Sequence, residues 1–218
     1  MHASNLDEHV RESLRHKIIT GEMTGGYHLS ELKISKDFQV SRTPVREALC
    51  SLYADDLIDM IPHRGAFVKD VPAAIRIDRY RTYGLLMAMG ARQTAEDGQI
   101  ELLMELDSAI QGLQPACIET DTFAQAVTQV QSILRRATGS PTLQDALTMV
   151  ERRTHTALVW HNAYAQKDIV LPALMAVGQA IKAHNADEAE LQMRTVMDAL
   201  CAPIITALRQ EDETVQNS

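Results

Sequence analysis

One segment of this sequence reads as a β-hairpin. Leu57-Ile58-Asp59-Met60-Ile61 and Ala66-Phe67-Val68 have the character of short strands, with Pro62-His63-Arg64-Gly65 as the turn between them. A lone two-stranded ribbon is barely stable in water and must be packed on something. What surrounds it is helical. Leu6, Val10, Leu14 and Ile18 recur every fourth residue, with Arg11, Arg15 and Lys17 between them, which is an amphipathic helix closed near Gly21. Gly25-Gly26 turns the chain into a short extended stretch, Tyr27-His28-Leu29, and Ser30 offers a hydroxyl to cap a helix through about Phe38. A third helix opens at Ser41-Arg42-Thr43-Pro44 and carries Val45, Ala48, Leu49 and Leu52 at helical spacing. Ser41 or Thr43 can cap it, and Pro44 is harmless in a first turn, where its missing N–H has no partner. Helix, helix, turn, helix, hairpin is the order of a winged helix-turn-helix.

Beyond Pro72 the strand signals stop, and apolar stripes at helical spacing take over. They run through Ile100, Leu103, Leu106, Ile110 and Leu113, then through Phe123, Val127, Val130, Leu134 and Ala137. After Gly139-Ser140-Pro141 come Leu143, Ala146, Leu147, Val150, Ala157 and Leu158. A further helix near Ile169 to Ile181 holds Pro172 in its first turns, and the last carries Leu191, Met193, Val196, Met197, Leu200, Ile204 and Leu208. Five or six such helices imply a bundle with its own interior. The expected fold is mainly α: a winged helix-turn-helix over residues 1–72, an all-helical bundle over 73–210, and a disordered polar tail over 211–218. Only 4% of the chain is aromatic, which favours helix-on-helix packing over a β-sandwich. No apolar run approaches the roughly 20 residues of a membrane span, and the N-terminus lacks the basic and apolar regions of a secretory signal. Cys50, Cys117 and Cys201 are widely spaced and sit among apolar neighbours, so they read as buried thiols of a cytoplasmic protein.

The net charge is −8, which excludes coating nucleic acid by bulk positive charge but leaves a local patch open. Residues 1–72 hold 9 Lys/Arg against 11 Asp/Glu, and residues 73–218 hold 12 against 18, so the first part is the less acidic. Within it, Arg42 and Arg46 lie four apart and project from one side of a helix's first turn. The planar fork of arginine can take a guanine edge or a phosphate. Ser41 and Thr43 add short hydroxyls suited to phosphate oxygens, and the helix N-terminus itself attracts anions. Asp37 and Glu47 are the local acids that would instead make Arg46 an ordinary surface arginine. At the hairpin tip Gly65 allows close approach to a sugar-phosphate backbone and Arg64 supplies a cation. Lys33 and Lys36 can add phosphate contacts from the preceding helix.

Residues 6–71 resemble the DNA-binding domain of the GntR family of bacterial transcription regulators. The likeness runs through Leu14-Arg15-His16-Lys17-Ile18-Ile19-Thr20-Gly21, Leu29-Ser30-Glu31, Val40-Ser41-Arg42-Thr43-Pro44-Val45-Arg46-Glu47-Ala48-Leu49 and Pro62-His63-Arg64-Gly65-Ala66-Phe67-Val68. The resemblance implies a homodimer on a palindromic operator, with recognition helices in the major groove and wings reaching the minor groove. It puts DNA contacts on Ser41, Arg42, Thr43, Arg46, Arg64 and Gly65. Leu32 stands where the fatty-acid-responsive branch has a DNA-contacting Arg, so that contact is absent or shifted to Lys33. Asp55-Asp56 replaces a commoner Glu-Gly or Asn-Gly, which implies only a slightly different turn.

The helical remainder resembles the FCD effector domain of the FadR-type branch, anchored on Ala137-Thr138-Gly139-Ser140-Pro141 and on Ala180-Ile181 through Met193. In most such domains one Asp and three His hold a divalent metal. The matching positions here read Val127, Gln131, Leu174 and Val196, none of which suits such a metal. His155 and His161 cannot share a helix face, and His184 reads as a surface residue. No metal and no other cofactor is therefore expected. Those four positions either fill with side chains or line a pocket for a small organic acid or apolar metabolite, with Gln131 as its polar anchor. Arg79 and Arg81 are either solvated or set to neutralise an acidic effector, while Arg135-Arg136 and Arg152-Arg153 read as surface residues. No carboxylate pair, Ser/His/Asp set, phosphate loop or HExxH motif points to catalysis. The expected function is a DNA-binding regulator, a repressor, tuned by a small-molecule effector; the alternative is an effector-independent regulator whose helical domain only dimerises.

Overall fold

A computed structural model of the chain describes residues 6–116, 119–154 and 165–216. The chain divides into two units, Met1–Pro72 and Ala73–Ser218. In the first, α1 (Leu6–Ile19) turns Val10 and Leu14 inward, as its four-residue period requires. A short strand, β1 (His28–Leu29), leads into α2 (Glu31–Asp37), whose first turn is capped by the Ser30 hydroxyl accepting from the Lys33 amide at 3.4 Å. The end of α2 is a Schellman motif. Val40 N–H donates to the Ser35 carbonyl at 3.0 Å and Gln39 N–H to the Lys36 carbonyl at 3.2 Å, with Gln39 left-handed at φ 56°. The Ser35 hydroxyl donates to the Val40 carbonyl at 2.6 Å, which ties the turn down just before α3 (Arg42–Ala54).

The same motif closes α3. Leu57 N–H donates to the Leu52 carbonyl and Asp56 N–H to the Tyr53 carbonyl, both at 3.0 Å. Asp56 takes the left-handed conformation (φ 61°) that a glycine would adopt more easily, and the two hydrogen bonds of the motif form around it. Then β2 (Ile58–Ile61) and β3 (Gly65–Val68) pair antiparallel, and β1 adds to the other edge of β3, giving the order β1-β3-β2. The core of the unit joins Val10, Leu14, Leu29, Ile34, Val45, Leu49, Leu52, Ile58 and Val68.

In the second unit, α4 (Ala73–Asp97), α5 (Ile100–Gln111), a short α6 (Leu113–Ala116), α7 (Thr120–Ala137), α8 (Pro141–Arg152), α9 (Lys167–Lys182) and α10 (Ala186–Gln216) are the described helices. The long α4 packs most extensively on α10, and α10 on α9. Tyr83, Met87, Phe123, Leu134, Leu174, Val196 and Leu200 belong to one continuous core. The stretch Ala186–Gln210 is long enough for a membrane span and contains an 18-residue window of mean hydropathy 1.2. Here its apolar residues Met193, Val196, Met197, Leu200 and Ile204 are buried in the bundle.

Two expectations are corrected. Residues 211–216 are helical rather than a loose tail: α10 continues to Gln216, in keeping with a Glu- and Gln-containing sequence of fair helix propensity. Cys50 is exposed rather than buried, whereas Cys201 is buried. Cys117, His155, Ala157, Leu158 and His161 lie outside the described residues.

Candidate nucleic-acid interface

The third helix has two faces. Pro44, Val45, Ala48, Leu49 and Leu52 are buried, while Arg42, Thr43, Arg46, Glu47 and Cys50 are exposed. Ser41 stands at the N-cap position with extended backbone, and its hydroxyl makes no capping hydrogen bond. No acidic side chain lies in the first turn of α3. The partial positive charge of that helix end therefore faces outward, uncompensated by a carboxylate of its own.

Arg46 is 64% exposed, and its Nε donates to Glu31 Oε2 at 2.9 Å. The acid that holds it is thus the first residue of α2, fifteen positions earlier in the chain, and not Asp37 or Glu47. Arg42, one turn before it, makes no ion pair among the described residues. On α2, Leu32 is half exposed at 49%, and the neighbouring Lys33 Nζ donates to the Tyr27 hydroxyl at 3.3 Å. Lys36 is exposed as well.

The hairpin tip is a tight turn in which Arg64 N–H donates to the Ile61 carbonyl at 3.0 Å. Pro62 at the second position and His63 at φ 61° in the third give it the pattern of a type II turn. Gly65 follows at φ 97°, and a Cβ there would lie 3.1 Å from His28 Nε2. The backbone angle favours glycine, and a side chain there would also press on the His28 ring. The Arg64 guanidinium lies 5.6 Å from the centre of the Phe67 ring, and the His28 ring packs on the same phenylalanine with centroids 4.9 Å apart. Such a cation–π contact holds an arginine at the tip without consuming its donors. Contact by contact, Arg64, Phe67 and His28 run along the strands, Tyr27 reaches Lys33, and Glu31 reaches Arg46. The roles of Glu31 and His28 escaped sequence reasoning, because each partner is distant in sequence and no local period announces it.

The four positions singled out in the helical unit fall in its interior. Val127, Leu174 and Val196 are at most 1% exposed and belong to the continuous core. Gln131 is buried too, its Nε2 donating to the Tyr83 hydroxyl at 3.2 Å and to Glu151 Oε1 at 3.0 Å. Arg135 completes this cluster with a 2.8 Å bond to Glu151 Oε2, and Arg136 pairs with Glu105 across helices at 2.7 Å. Arg135 is therefore half buried in an interior network rather than a plain surface residue. Arg79 is tied to the end of α8 through the Arg153 carbonyl at 3.1 Å, while Arg81 and Arg152 are exposed. His184 is exposed, with Nδ1 3.0 Å from the Ala95 carbonyl. Among the described residues no three His, Cys, Asp or Glu side chains are placed to hold a metal ion. The side chains at the four positions do not fit the divalent metal of FCD domains.

Three helices with a tight turn between the second and third, closed by a hairpin, define a winged helix-turn-helix, a DNA-binding fold. Residues 6–68 match the family described as bacterial regulatory proteins, gntR family, and this part of the chain is a gntR-family helix-turn-helix domain. The chain is similar to the uncharacterized HTH-type transcriptional regulator Rv0043c of Mycobacterium tuberculosis, with 25% identity over 155 residues. That match takes in 71% of this chain and 63% of the relative's length. It is also similar to the HTH-type transcriptional repressor RspR of Escherichia coli, 36% identical over 69 residues, which is 32% of this chain and 30% of that one. Among solved structures, E. coli McbR/YncC shares the fold, with a TM-score of 0.67 at 20% identity, covering 94% of this chain and 98% of that one.

Proposed function

We propose that this protein is a cytoplasmic transcription regulator of the gntR family, acting as a homodimer on a palindromic operator. The observation that carries this reading is the division of α3 into a buried apolar face and an exposed Arg42–Arg46 edge at its N-terminal turn. An edge of that kind fits the major groove, which is about 12 Å wide and admits one helix. Arg46 takes a base edge there; Ser41, Arg42 and Thr43 contact phosphates, assisted by the helix N-terminus. Arg64 and Gly65 bring the wing to the minor groove, and Lys33 adds a phosphate contact in place of the one Leu32 does not make. A dimer seated on such a site blocks polymerase access, so repression is the expected sign. The likeness of the DNA-binding unit to a repressor supports it.

In this reading the FCD-like helical unit dimerises and binds a small organic acid or apolar metabolite. A second reading has a specific observation in its favour. Val127, Leu174 and Val196 are core residues and Gln131 is engaged with Tyr83 and Glu151, which favours a helical unit that only dimerises. Thermal shift against organic acids, sugar acids and acyl thioesters separates the two. A ligand that both raises the melting temperature and alters DNA affinity supports the sensor, and the absence of any such ligand supports the dimeriser.

The DNA reading is tested by selecting bound sequences from random duplexes with the full-length protein, then measuring affinity by gel shift. A two-fold symmetric motif is expected, and Arg46→Ala should weaken binding to it by about 1–3 kcal/mol. Equal affinity of that variant would refute the placement of α3.

A further inference from the structure

The geometry points to Glu31 as a specificity-determining residue: a positioning group that makes Arg46 a reader of a base rather than a clamp on phosphate. This rests on the reading of Arg46 as a DNA contact. Glu31 opens α2, where a carboxylate is favourable near the helix N-terminus, and it is about one-third exposed. Its Oε2 accepts from Arg46 Nε at 2.9 Å. An arginine has five N–H donors in a rigid plane. Engaging Nε from the side fixes the rotation of that plane and leaves the end-on edge, the two terminal nitrogens, as the face presented outward. That edge is the one that pairs with O6 and N7 of guanine.

The carboxylate acts by sign as well as by geometry. A lone exposed arginine on a recognition helix gains from any phosphate it meets, and phosphates are present at every sequence. A carboxylate held on Nε cancels much of that sequence-independent attraction and repels a phosphate approaching from the same side. Discrimination is a difference of affinities, and a built-in repulsion against the wrong contact raises it. Arg42, four residues earlier and without such an acid among the described residues, is left as the phosphate-binding arginine of the pair. Two arginines of one helix turn are thereby given different tasks by a residue of another helix.

An exposed pair of this kind is worth little to folding, so variants at Glu31 should melt close to the parent. The experiment uses full-length parent, Glu31→Ala, Glu31→Gln and Arg46→Ala. Each is put through selection from a random duplex pool, then titrated against the selected duplex and a scrambled duplex of equal length at several salt concentrations. Glu31→Ala should bind the scrambled duplex more tightly and the selected one more weakly, cutting the affinity ratio by about tenfold. Preference should fall at one symmetric pair of guanine positions, the same pair lost in Arg46→Ala. The freed arginine should steepen the salt dependence by about one phosphate contact per protomer. Glu31→Gln keeps an acceptor but not the charge, so it should retain the guanine preference and still gain scrambled-duplex affinity.

If Glu31→Ala strengthens binding to both duplexes equally, Glu31 is only a repelling charge and the inference is overturned. An unchanged ratio and salt slope in Glu31→Ala, with Arg46→Ala losing the guanine preference, overturns it too while sparing the role of Arg46. Retention of that preference in Arg46→Ala sinks the reading of Arg46 itself, and the role of Glu31 with it.

Discussion

At Gly25 the link between α1 and β1 passes so close to the end of β3 that an added Cβ would lie 2.9 Å from Asp70 Cα and 2.8 Å from its carboxylate. Backbone cannot yield as a flexible side chain does. Gly25→Ala should therefore destabilise the N-terminal unit by about 1–3 kcal/mol, read as a lower denaturant midpoint; an unchanged midpoint would show that the link relaxes freely. The cysteines make a second single-residue case. Burial pushes the Cys201 thiol up to about 12, with Asp198 adding to the effect, so almost no thiolate exists there at neutral pH. Cys50 lies on the exposed side of α3, four residues past Arg46. A thiol reagent near pH 8 should label Cys50 in the native protein and spare Cys201, with mass mapping as the readout; prompt labelling of Cys201 would mean that the bundle opens on that timescale. Apolar neighbours in sequence suggested that Cys50 was buried, but on a helix the angle decides, and it stands about 100° away from Leu49. The partner of Arg46 was hidden for a related reason. Local acids are visible by their spacing, whereas Glu31 reaches Arg46 only after the α2–α3 turn has formed.

Elements with a strong period were legible to within a few residues, while their ends depended on contacts that leave weaker traces. Val10 and Leu14 announced α1, and Ser30 announced the start of α2 because its hydroxyl does cap. The pairing of His28 with Phe67 could not be read, since two residues of β1 are too few to carry a strand period. The polar end of α10 looked like a frayed tail because no apolar stripe marks it, yet its helix continues to Gln216. At the head of α8 the Ser140 hydroxyl accepts from Leu143 N–H at 3.3 Å, with Pro141 opening the helix. Ser140→Ala should cost about 1 kcal/mol, seen as a lower melting temperature of the helical unit; an unchanged value would mean that water caps this end equally well. On α10, hydrogen bonds from Arg194 and Arg92 hold the Glu190 carboxyl below its ordinary value of 4.5, and Arg92, raised by Asp187 and Glu190, stays charged throughout. A depressed carboxyl stabilises the fold fully above the ordinary carboxylate range, and that contribution fades as the pH falls through the folded-state value. Glu190→Gln should lower stability by less than about 1 kcal/mol at neutral pH and show a shallower loss on acidification. Parallel acid curves for parent and variant would show that the pair adds nothing to folding.

For the whole molecule, a net charge of −8 works against any duplex, and affinity must come from a few placed cations. Under the proposed function, Lys33, Arg42 and Arg64 are the cations each protomer would bring to the DNA backbone, and a dimer would present six. Each neutralised phosphate contributes about −0.9 to the slope of log affinity against log salt, so the parent slope should be about −5. Lys33→Ala then distinguishes oligomeric states on the operator without any measurement of mass. In a two-fold dimer one substitution removes two contacts and flattens the slope by about 2, whereas a lone protomer loses one contact and about 1. Loss of affinity should also be uniform across sequences, because a phosphate contact carries no base information. An unaltered slope would mean that the Lys33 ammonium stays on the Tyr27 hydroxyl and never reaches DNA. A change near one would instead argue that a single recognition helix engages the duplex at a time, and the expectation of a palindromic operator would fall with the dimer.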